Sequence, residues 1–407
     1  MSIDFQQVRE QVKKLGENAS QRAHRLQELR EQADDLLNRA DLDLAALRHK
    51  AQRIVQQYDA SLRCALPIIE PEGRSERLNA RHPAPPLPPA ATILAADGSQ
   101  IAPDRHAEVN YCLINVGAIQ LQIGQPAAPA VSIYSHLLYD DELYTETGQL
   151  TDAQLALERD LYERRRLADL ASAAAAPVLT FTDGPMELWG ARDGDADQLF
   201  QKSLKEYVQV LEQLSALQAA TAGYVDKPGS TLVVRLLEVA RLTETELPEI
   251  RRRHPLRGVM DLDLFRALLQ PGERSAVFEL QFRSRLAYPG DLSLHFFYLN
   301  VGHPHRSSIA RVEIPAWVAR SAVLLDSLHA VLVDQCRVMG SRPYPYLLHR
   351  AHEAAVVTLP EKDQVTQMIA IELRSRQVEI SEISNKQAHK NLPGRTRQAK
   401  TKGVKSR

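Results

Sequence analysis

The segment Thr92–Ser99 has the sequence Thr-Ile-Leu-Ala-Ala-Asp-Gly-Ser, and a second segment, Val178–Gly184, has the sequence Val-Leu-Thr-Phe-Thr-Asp-Gly. Each segment begins with an apolar run typical of a buried strand, and an Asp-Gly dipeptide follows that run directly. The pattern predicts two strands that end at Asp97 and Asp183 and turn on the next glycine. Both carboxylates would then lie at the carboxyl edge of an α/β sheet, where ligands and metal ions usually bind.

An ordinary turn is the alternative explanation for each dipeptide. Asp-Gly is among the commonest turn sequences, because Asp bonds to its own backbone and Gly accepts positive φ. Two such carboxylates in one domain also suit a hard divalent cation, which prefers oxygen ligands. The pair therefore favours a metal site for phosphodiester chemistry as the hypothesis to test.

The composition is that of a globular protein. The chain has 407 residues, of which 44% are hydrophobic and 25% charged, with a net charge of -1. This length suffices for one large domain or two ordinary ones. The cysteines Cys64, Cys112 and Cys336 form no CxxC pair, which fits a reducing compartment and argues against a disulfide or zinc framework. Since we find neither a signal-peptide pattern nor a membrane-spanning apolar run, we expect a cytoplasmic protein with no membrane association.

Changes in composition divide the chain into four segments. Residues 1–66 place apolar side chains at three- and four-residue spacing, which predicts a helical, coiled-coil-like arm. This arm either mediates dimerisation or partner binding, or folds back on its own domain. Residues 67–89 are expected to form a proline-rich extended linker. Residues 90–384 alternate α and β patterns, and residues 385–407 form the C-terminal segment.

The C-terminal segment contains eight Lys or Arg residues and no acidic residue. Such a composition buries too little apolar surface to fold, so a disordered basic tail is predicted. The tail either binds nucleic acid through counterion release or only keeps the chain soluble.

Within the preceding domain, Val109–Val116 and Ala118–Ile123 are predicted to be hairpin strands around Gly117.

A helix predicted over residues 152–175 offers a third carboxylate, because it carries Glu158 and Glu163 ahead of the Asp183 strand. A helix packed on a sheet can direct one such group to the strand end, and Glu163 is nearer to it in sequence. The alternative is that both are solvated residues on a charged helix.

A histidine-containing helix is predicted after Pro343-Tyr344-Pro345-Tyr346, and it carries His349 and His352. A histidine there either binds a metal, moves a proton near neutral pH, or only packs on the surface. The basic clusters Arg164–Arg166 and Arg251–His254 either contact phosphates or form solvated faces. The chain has no GxxxxGK[ST] loop, which argues against a P-loop ATPase, and it also lacks the GxGxxG, HExxH and GxSxG motifs.

Over roughly residues 90–360 the chain resembles the NurA family, DNA end-processing nucleases that partner the HerA hexameric helicase-translocase. The resemblance rests on the order and spacing of five elements: Asp97-Gly98-Ser99-Gln100, a helix with Glu163, a strand ending in Asp183-Gly184, Tyr344-Pro345, and Ala351-His352-Glu353. The long N-terminal coil, the proline linker and the basic tail depart from the shorter archaeal members. These departures leave the dimer geometry and the docking of the partner open.

The resemblance implies an α/β fold in which an RNase H-like mixed β-sheet is flanked by helices, and it implies a homodimer. It also implies an exonuclease or single-strand endonuclease that depends on Mn²⁺, with Mg²⁺ as the alternative. Tyr344 would position the water or the scissile phosphate, and His352 would be a further ligand or a proton carrier. Glu158 is the alternative to Glu163. The implied metal ligands are Asp97, Glu163, Asp183 and His352.

The function expected from the resemblance is hydrolysis of single- and double-stranded DNA ends during end resection and repair, together with a HerA-like hexameric ATPase. The alternative is a catalytically weak DNA-end-binding scaffold that regulates such an ATPase. A third hypothesis is a metal-dependent phosphatase that acts on small substrates. In the nuclease hypothesis, Asp97→Asn abolishes turnover.

Overall fold

A computed structural model describes residues 3–39, 41–69, 76–104, 109–145, 148–190 and 195–377. The predicted basic tail, 385–407, lies outside these ranges. The helices are α1 (Phe5–Glu17), α2 (Ala19–Leu37), α3 (Leu44–Gln57), α4 (Asp152–Ala173), α5 (Asp195–Ala216), α6 (Leu232–Arg241), α7 (Asp261–Leu268), α8 (Ala316–Ala319), α9 (Ala322–Val338), α10 (Tyr346–Ala355) and α11 (Leu359–Ser375). Among the described helices, none has the length and apolar character needed to cross a bilayer.

The strands form one large mixed sheet and a separate two-stranded ribbon made by the sixth and seventh strands. Their bounds are β1 (Cys64–Pro67), β2 (Arg81–His82), β3 (Ala91–Ile101), β4 (Cys112–Ile123), β5 (Ala130–Leu138), β6 (Tyr144–Thr145), β7 (Gly148–Gln149), β8 (Val178–Asp183), β9 (Ala220–Asp226), β10 (Arg274–Ser275), β11 (Phe278–Gln281), β12 (Leu294–Asn300) and β13 (Ile309–Pro315).

The large sheet has the order β1-β11-β12-β13-β9-β8-β3-β4-β5, and the short β2 and β10 attach at β12. Within it, β3, β4 and β5 form an antiparallel meander, and β8 and β9 run parallel to β3. Helix α4 connects β7 to β8, and α5 connects β8 to β9. This five-strand unit with crossover helices is the expected RNase H-like α/β fold, which is thereby confirmed.

Helices α4 and α10 cover opposite faces of β3 and β4. A Cβ added at Gly98 would meet α4, whereas one added at Gly117 would meet α10. Gly117 pairs with Asp97, so Asp97 is on the α10 side and the next residue is on the α4 side. The central strands are apolar on both faces for this reason, as in the buried run of β8.

The N-terminal helices divide into an exposed helix and two packed helices. Helix α1 has no buried residue, and its apolar side chains Phe5, Val8, Val12 and Leu15 are exposed. Helices α2 and α3 instead bury apolar residues in the main core, and β1 joins the large sheet. The part of segment 1–66 from α2 onward therefore packs against the main core.

Two predictions around the first Asp-Gly are wrong. Strand β3 does not end at Asp97 but continues to Ile101, because β4 pairs with it along its full length. Gly117 does not mark a hairpin, since it lies in the middle of the single strand β4. A side chain there would come within 2.6 Å of a backbone atom of α10, so this glycine is needed for close helix packing rather than for a turn.

Candidate active site

The sheet register brings Asp97 and Asp183 together. Strands β3 and β8 are parallel and pair from Thr92 opposite Val178 to Ala96 opposite Thr182. Asp97 and Asp183 are the next residue on each strand, at the point where the pairing of β3 with β8 ends. β8 ends there as predicted, and β3 continues only against β4. Two carboxylates thus lie at the carboxyl end of the parallel part of the sheet.

Helix α4 supplies a buried carboxylate to the same place. Glu163 is only 5% exposed, and its Oε1 atom is 2.7 Å from the position that a Cβ of residue 98 would occupy. Gly98 therefore allows α4 to approach β3 closely. The Nε atom of Arg159, one turn earlier on α4, lies 3.5 Å from Glu163 Oε1.

The charges of the cluster act on one another. Burial, and then the charges of Asp160 and Asp97, raise the pKa of Glu163 well above its usual value, although Arg159 and Arg164 oppose this. Burial also raises the pKa of Asp183, and the charge of Asp97 adds to that effect. Carboxylates that interact in a partly desolvated place favour either a proton or a cation.

Helix α10 brings His352 to Asp97 from the other face of the sheet. The Nδ1 atom of His352 is 2.6 Å from Asp97 Oδ2. The end of α10 is fixed by side chains of the sheet, because Ser99 Oγ and Asn115 Nδ2 both donate to the carbonyl of Ala355. The start of α10 is fixed by the buried Gln335, whose Oε1 accepts from the Leu347 amide.

Tyr344, just before α10, contacts the second aspartate. Its hydroxyl is hydrogen-bonded to the Asp183 carboxylate, which lowers the pKa of Asp183 in opposition to burial. Burial, together with the charge of Asp183, raises the pKa of Tyr344 above its ordinary value. The ring of Tyr344 packs edge-on against that of Tyr224, with the centroids 5.5 Å apart. The hydroxyl is therefore held as a neutral donor.

The structure thus places Asp97, Glu163, Asp183, Tyr344 and His352 around one sheet edge. The alternative helix carboxylate, Glu158, lies elsewhere: it accepts a hydrogen bond from Ser203 of α5 at 2.9 Å. His349 also lies apart, since its Nε2 atom is 3.5 Å from Glu353 on the exposed side of α10.

The basic clusters are engaged largely within the protein. Arg164 is buried and donates to the Ala222 carbonyl, so it belongs to neither a phosphate-binding nor a solvated face. Arg165 pairs with Glu206, and Arg251 donates to Asp59 at 2.9 Å.

Sequence reasoning missed three charged residues of the site. Asp160 and Arg159 precede Glu163 on α4, and the Nη2 atom of Arg159 lies 2.9 Å from Asp160 Oδ1. Asp226 ends β9, and its charge raises the pKa values of Asp183 and Tyr344 further. The signal for Asp226 was an acid directly after an apolar strand, the same pattern that pointed to Asp183.

The donor chemistry of the cluster fits a hard divalent cation. Carboxylate oxygens predominate, and Glu163 is a buried acid whose ionised form needs a positive partner. Over the described part of the chain, no three Asp, Glu, His or Cys side chains already converge as a complete metal cage. Each expected carboxylate ligand is instead bonded to or paired with a protein group: Asp97 with His352, Asp183 with Tyr344, and Glu163 with Arg159.

Comparison with known proteins identifies the family of this chain with an RNase H-like fold. The NurA domain model matches residues 91–357. The chain therefore belongs to the NurA family, and this membership supports a nuclease.

Three solved structures can be compared with the chain. The NurA nuclease from Sulfolobus solfataricus is 11% identical, with a TM-score of 0.46, over 90% of this chain and 98% of that chain. The catalytic domain of human endonuclease V is 13% identical, with a TM-score of 0.29, over 80% and 97%. Ciona intestinalis endonuclease V, in complex with a 24mer DNA, is 10% identical, with a TM-score of 0.30, over 69% and 87%. No curated protein matches the sequence.

Proposed function

We propose that the protein is a metal-dependent DNA nuclease that hydrolyses phosphodiester bonds at DNA ends, as an exonuclease or single-strand endonuclease in end resection. The observation that carries the proposal is the juxtaposition of Asp97 and Asp183 beside the buried Glu163. Family membership supports the nuclease class. The carboxylates supply the oxygen ligands that Mn²⁺, or alternatively Mg²⁺, prefers.

The proposed metal ligands are Asp97, Glu163 and Asp183, with His352 as a further ligand or a proton carrier. When bound, the divalent cation supplies Lewis-acid neutralisation of the phosphoryl oxygens and lowers the pKa of a bound water. The carboxylates contribute by holding negative charge at one place. Burial and the neighbouring carboxylates raise the pKa of Glu163, and a bound cation would favour its ionised form.

His352 is the group best suited to move the proton. Its Nδ1 atom faces the Asp97 carboxylate at 2.6 Å, and an ionised carboxylate can only accept. The tautomer with hydrogen on Nδ1 therefore leaves Nε2 as the basic atom, and this side chain is 63% exposed. Tyr344, as a neutral donor on Asp183, would orient the water or the scissile phosphate.

An aromatic surface beside the site supports a single-stranded substrate. The Tyr134 and His136 rings of β5 lie 5.8 Å and 5.2 Å from that of Tyr162 on α4, and Arg165 lies over Tyr162. Tyr162 directly precedes Glu163, and Tyr134 is 39% exposed. Such rings with an arginine offer stacking positions for bases without sequence preference.

We also propose a homodimer and a HerA-like hexameric ATPase partner, as the family resemblance implies. The exposed apolar face of α1, formed by Phe5, Val8, Val12 and Leu15, supports an assembly that covers it. Isolated exposed apolar residues are common, but four at helical spacing on one helix form a continuous stripe.

The test is cleavage of labelled single- and double-stranded DNA by the purified protein with Mn²⁺ and then with EDTA. We expect Asp97→Asn to lose more than the roughly 10²–10⁴-fold that removal of a general acid or base costs, with an unchanged fold. Glu163→Gln should lose activity similarly.

The matched control is Glu158→Gln. It also removes a carboxylate from α4, but the Glu158 side chain contacts Ser203 and lies away from the site. It should cleave like the wild type. Equal and negligible cleavage by wild type and Asp97→Asn, with and without the ATPase, would instead favour the DNA-end-binding scaffold. Parallel assays on nucleotides and chromogenic phosphates test the phosphatase hypothesis.

A further inference from the structure

One cation of the protein already occupies the acidic cluster. Arg159 of α4 has its Nε atom 3.5 Å from Glu163 Oε1, and its Nη2 atom 2.9 Å from Asp160 Oδ1. Its guanidinium also interacts electrostatically with Asp97, the central carboxylate of the site. The positive charge of Arg159 thus faces three carboxylates.

The backbone of β3 is built to admit this side chain. A Cβ at residue 98 would lie 2.6 Å from Arg159 Cγ and 2.7 Å from Glu163 Oε1. Only a glycine therefore leaves room for both groups against the strand. The exposed fraction of the Arg159 side chain is 31%, so its charge is only partly screened by water.

Arg159 is paired with Glu163, one of the proposed metal ligands. Within the described ranges the proposed ligands do not converge into a metal cage, and the Glu163 carboxylate lies beside the guanidinium instead. A divalent cation and a guanidinium cannot both approach the same Glu163 oxygen closely, because like charges repel at short distance.

We infer that Arg159 is an internal counter-ion that competes with the divalent cation for the Asp97–Glu163 carboxylates and so sets the metal concentration at which the site fills. This inference rests on the proposed metal-dependent function. Without metal, Arg159 neutralises part of the cluster. When metal binds, Arg159 must give up Glu163 and keep Asp160 as its partner.

The inference is tested by measuring the Mn²⁺ dissociation constant of the full-length protein without DNA, by calorimetry, for wild type and Arg159→Gln. Loss of the competing charge should tighten Mn²⁺ binding by roughly tenfold, within the range typical of coupled ligands. Arg159→Lys keeps the charge, so its dissociation constant should stay near that of the wild type.

Two further measurements separate this role from a structural one. The control Arg165→Gln, on the same helix but paired with Glu206, should bind Mn²⁺ like the wild type. In thermal unfolding, Arg159→Gln should be less stable than wild type without metal and should gain more from added Mn²⁺.

Unchanged or weaker Mn²⁺ binding by Arg159→Gln, with normal binding by the wild type, would overturn the inference while leaving the nuclease proposal intact. Absence of Mn²⁺ binding by the wild type would overturn both the inference and the proposed metal dependence.

Discussion

Gly117→Ala should impair the site by displacing helix α10, which carries His352. A Cβ at residue 117 would lie 2.6 Å from the Ala355 amide nitrogen and 2.7 Å from the Ala351 carbonyl oxygen. Ordinary van der Waals contact begins at 3.4 Å, so α10 must move away from β4 by about 0.8 Å. Since these are backbone atoms, no side-chain rotation relieves the contact.

The displacement should cost both stability and catalysis. Overpacking of this kind typically destabilises a protein by about 1–3 kcal/mol. His352 is carried on α10, and a misplacement of about 1 Å in a catalytic group can cost roughly 10²-fold in rate. We therefore expect a lower Tm and a fall of about that size in the kcat for Mn²⁺-dependent cleavage of single-stranded DNA.

Gly16→Ala is the control for adding a methyl group. Gly16 lies in α1 with nothing within 4 Å of the added Cβ, so this substitution should leave kcat unchanged and raise helix stability by about 0.5–1 kcal/mol at most. If Gly117→Ala kept kcat within about threefold and left Tm unchanged, the claim that α10 is positioned by close contact with β4 would be refuted.

Three further predictions follow from the site and the surface. Without metal at neutral pH, Glu163→Gln should raise the free energy of unfolding by roughly 0.5–2 kcal/mol. The raised pKa of Glu163 makes its ionisation in the folded state unfavourable, so the wild type loses stability as the pH rises above 4.5. The extra stability of Glu163→Gln over the wild type should therefore vanish below that pH, which denaturation measured at a series of pH values would show. Tyr134→Ala should weaken binding of a single-stranded oligonucleotide about 5- to 150-fold, as loss of one stacked base would, whereas the exposed Tyr144→Ala should not; equal affinities would remove Tyr134 from the binding surface. Deletion of residues 1–17 should halve the molar mass measured by light scattering and reduce co-elution with the ATPase, and an unchanged dimer would place the interface elsewhere.

Local sequence pattern predicted where two residues of the candidate site lie relative to their strand and helix. Asp183 follows an apolar strand that does end there, and Tyr344 precedes a helix that begins at Tyr346, as expected. The pairing of strands from distant segments could not be predicted from local sequence pattern. The partner β4 carries β3 past Asp97 to Ile101, so an Asp-Gly pair that suggested a turn is part of an extended strand.

The roles of Gly117, Arg159 and Asp160 could not be predicted from the sequence for the same physical reason. The sequence around Gly117 predicts a turn, because it does not show that a helix more than 230 residues later packs on this glycine. Arg159 and Asp160 lie on the same charged helix as Glu163, and the close approach of α4 to Gly98 brings this helix to the carboxylates. Tertiary packing decides which charged residues of such a helix face the site.

The central claim is that Asp97, Glu163 and Asp183 hold the metal at this sheet edge. Anomalous diffraction at the manganese edge, from crystals soaked in Mn²⁺, measures this directly. The account predicts a Mn²⁺ peak within ligating distance of these three carboxylates in the wild type, and a lost or strongly weakened peak in Asp97→Asn. A Mn²⁺ peak bound to other residues, in protein that cleaves DNA, would contradict it.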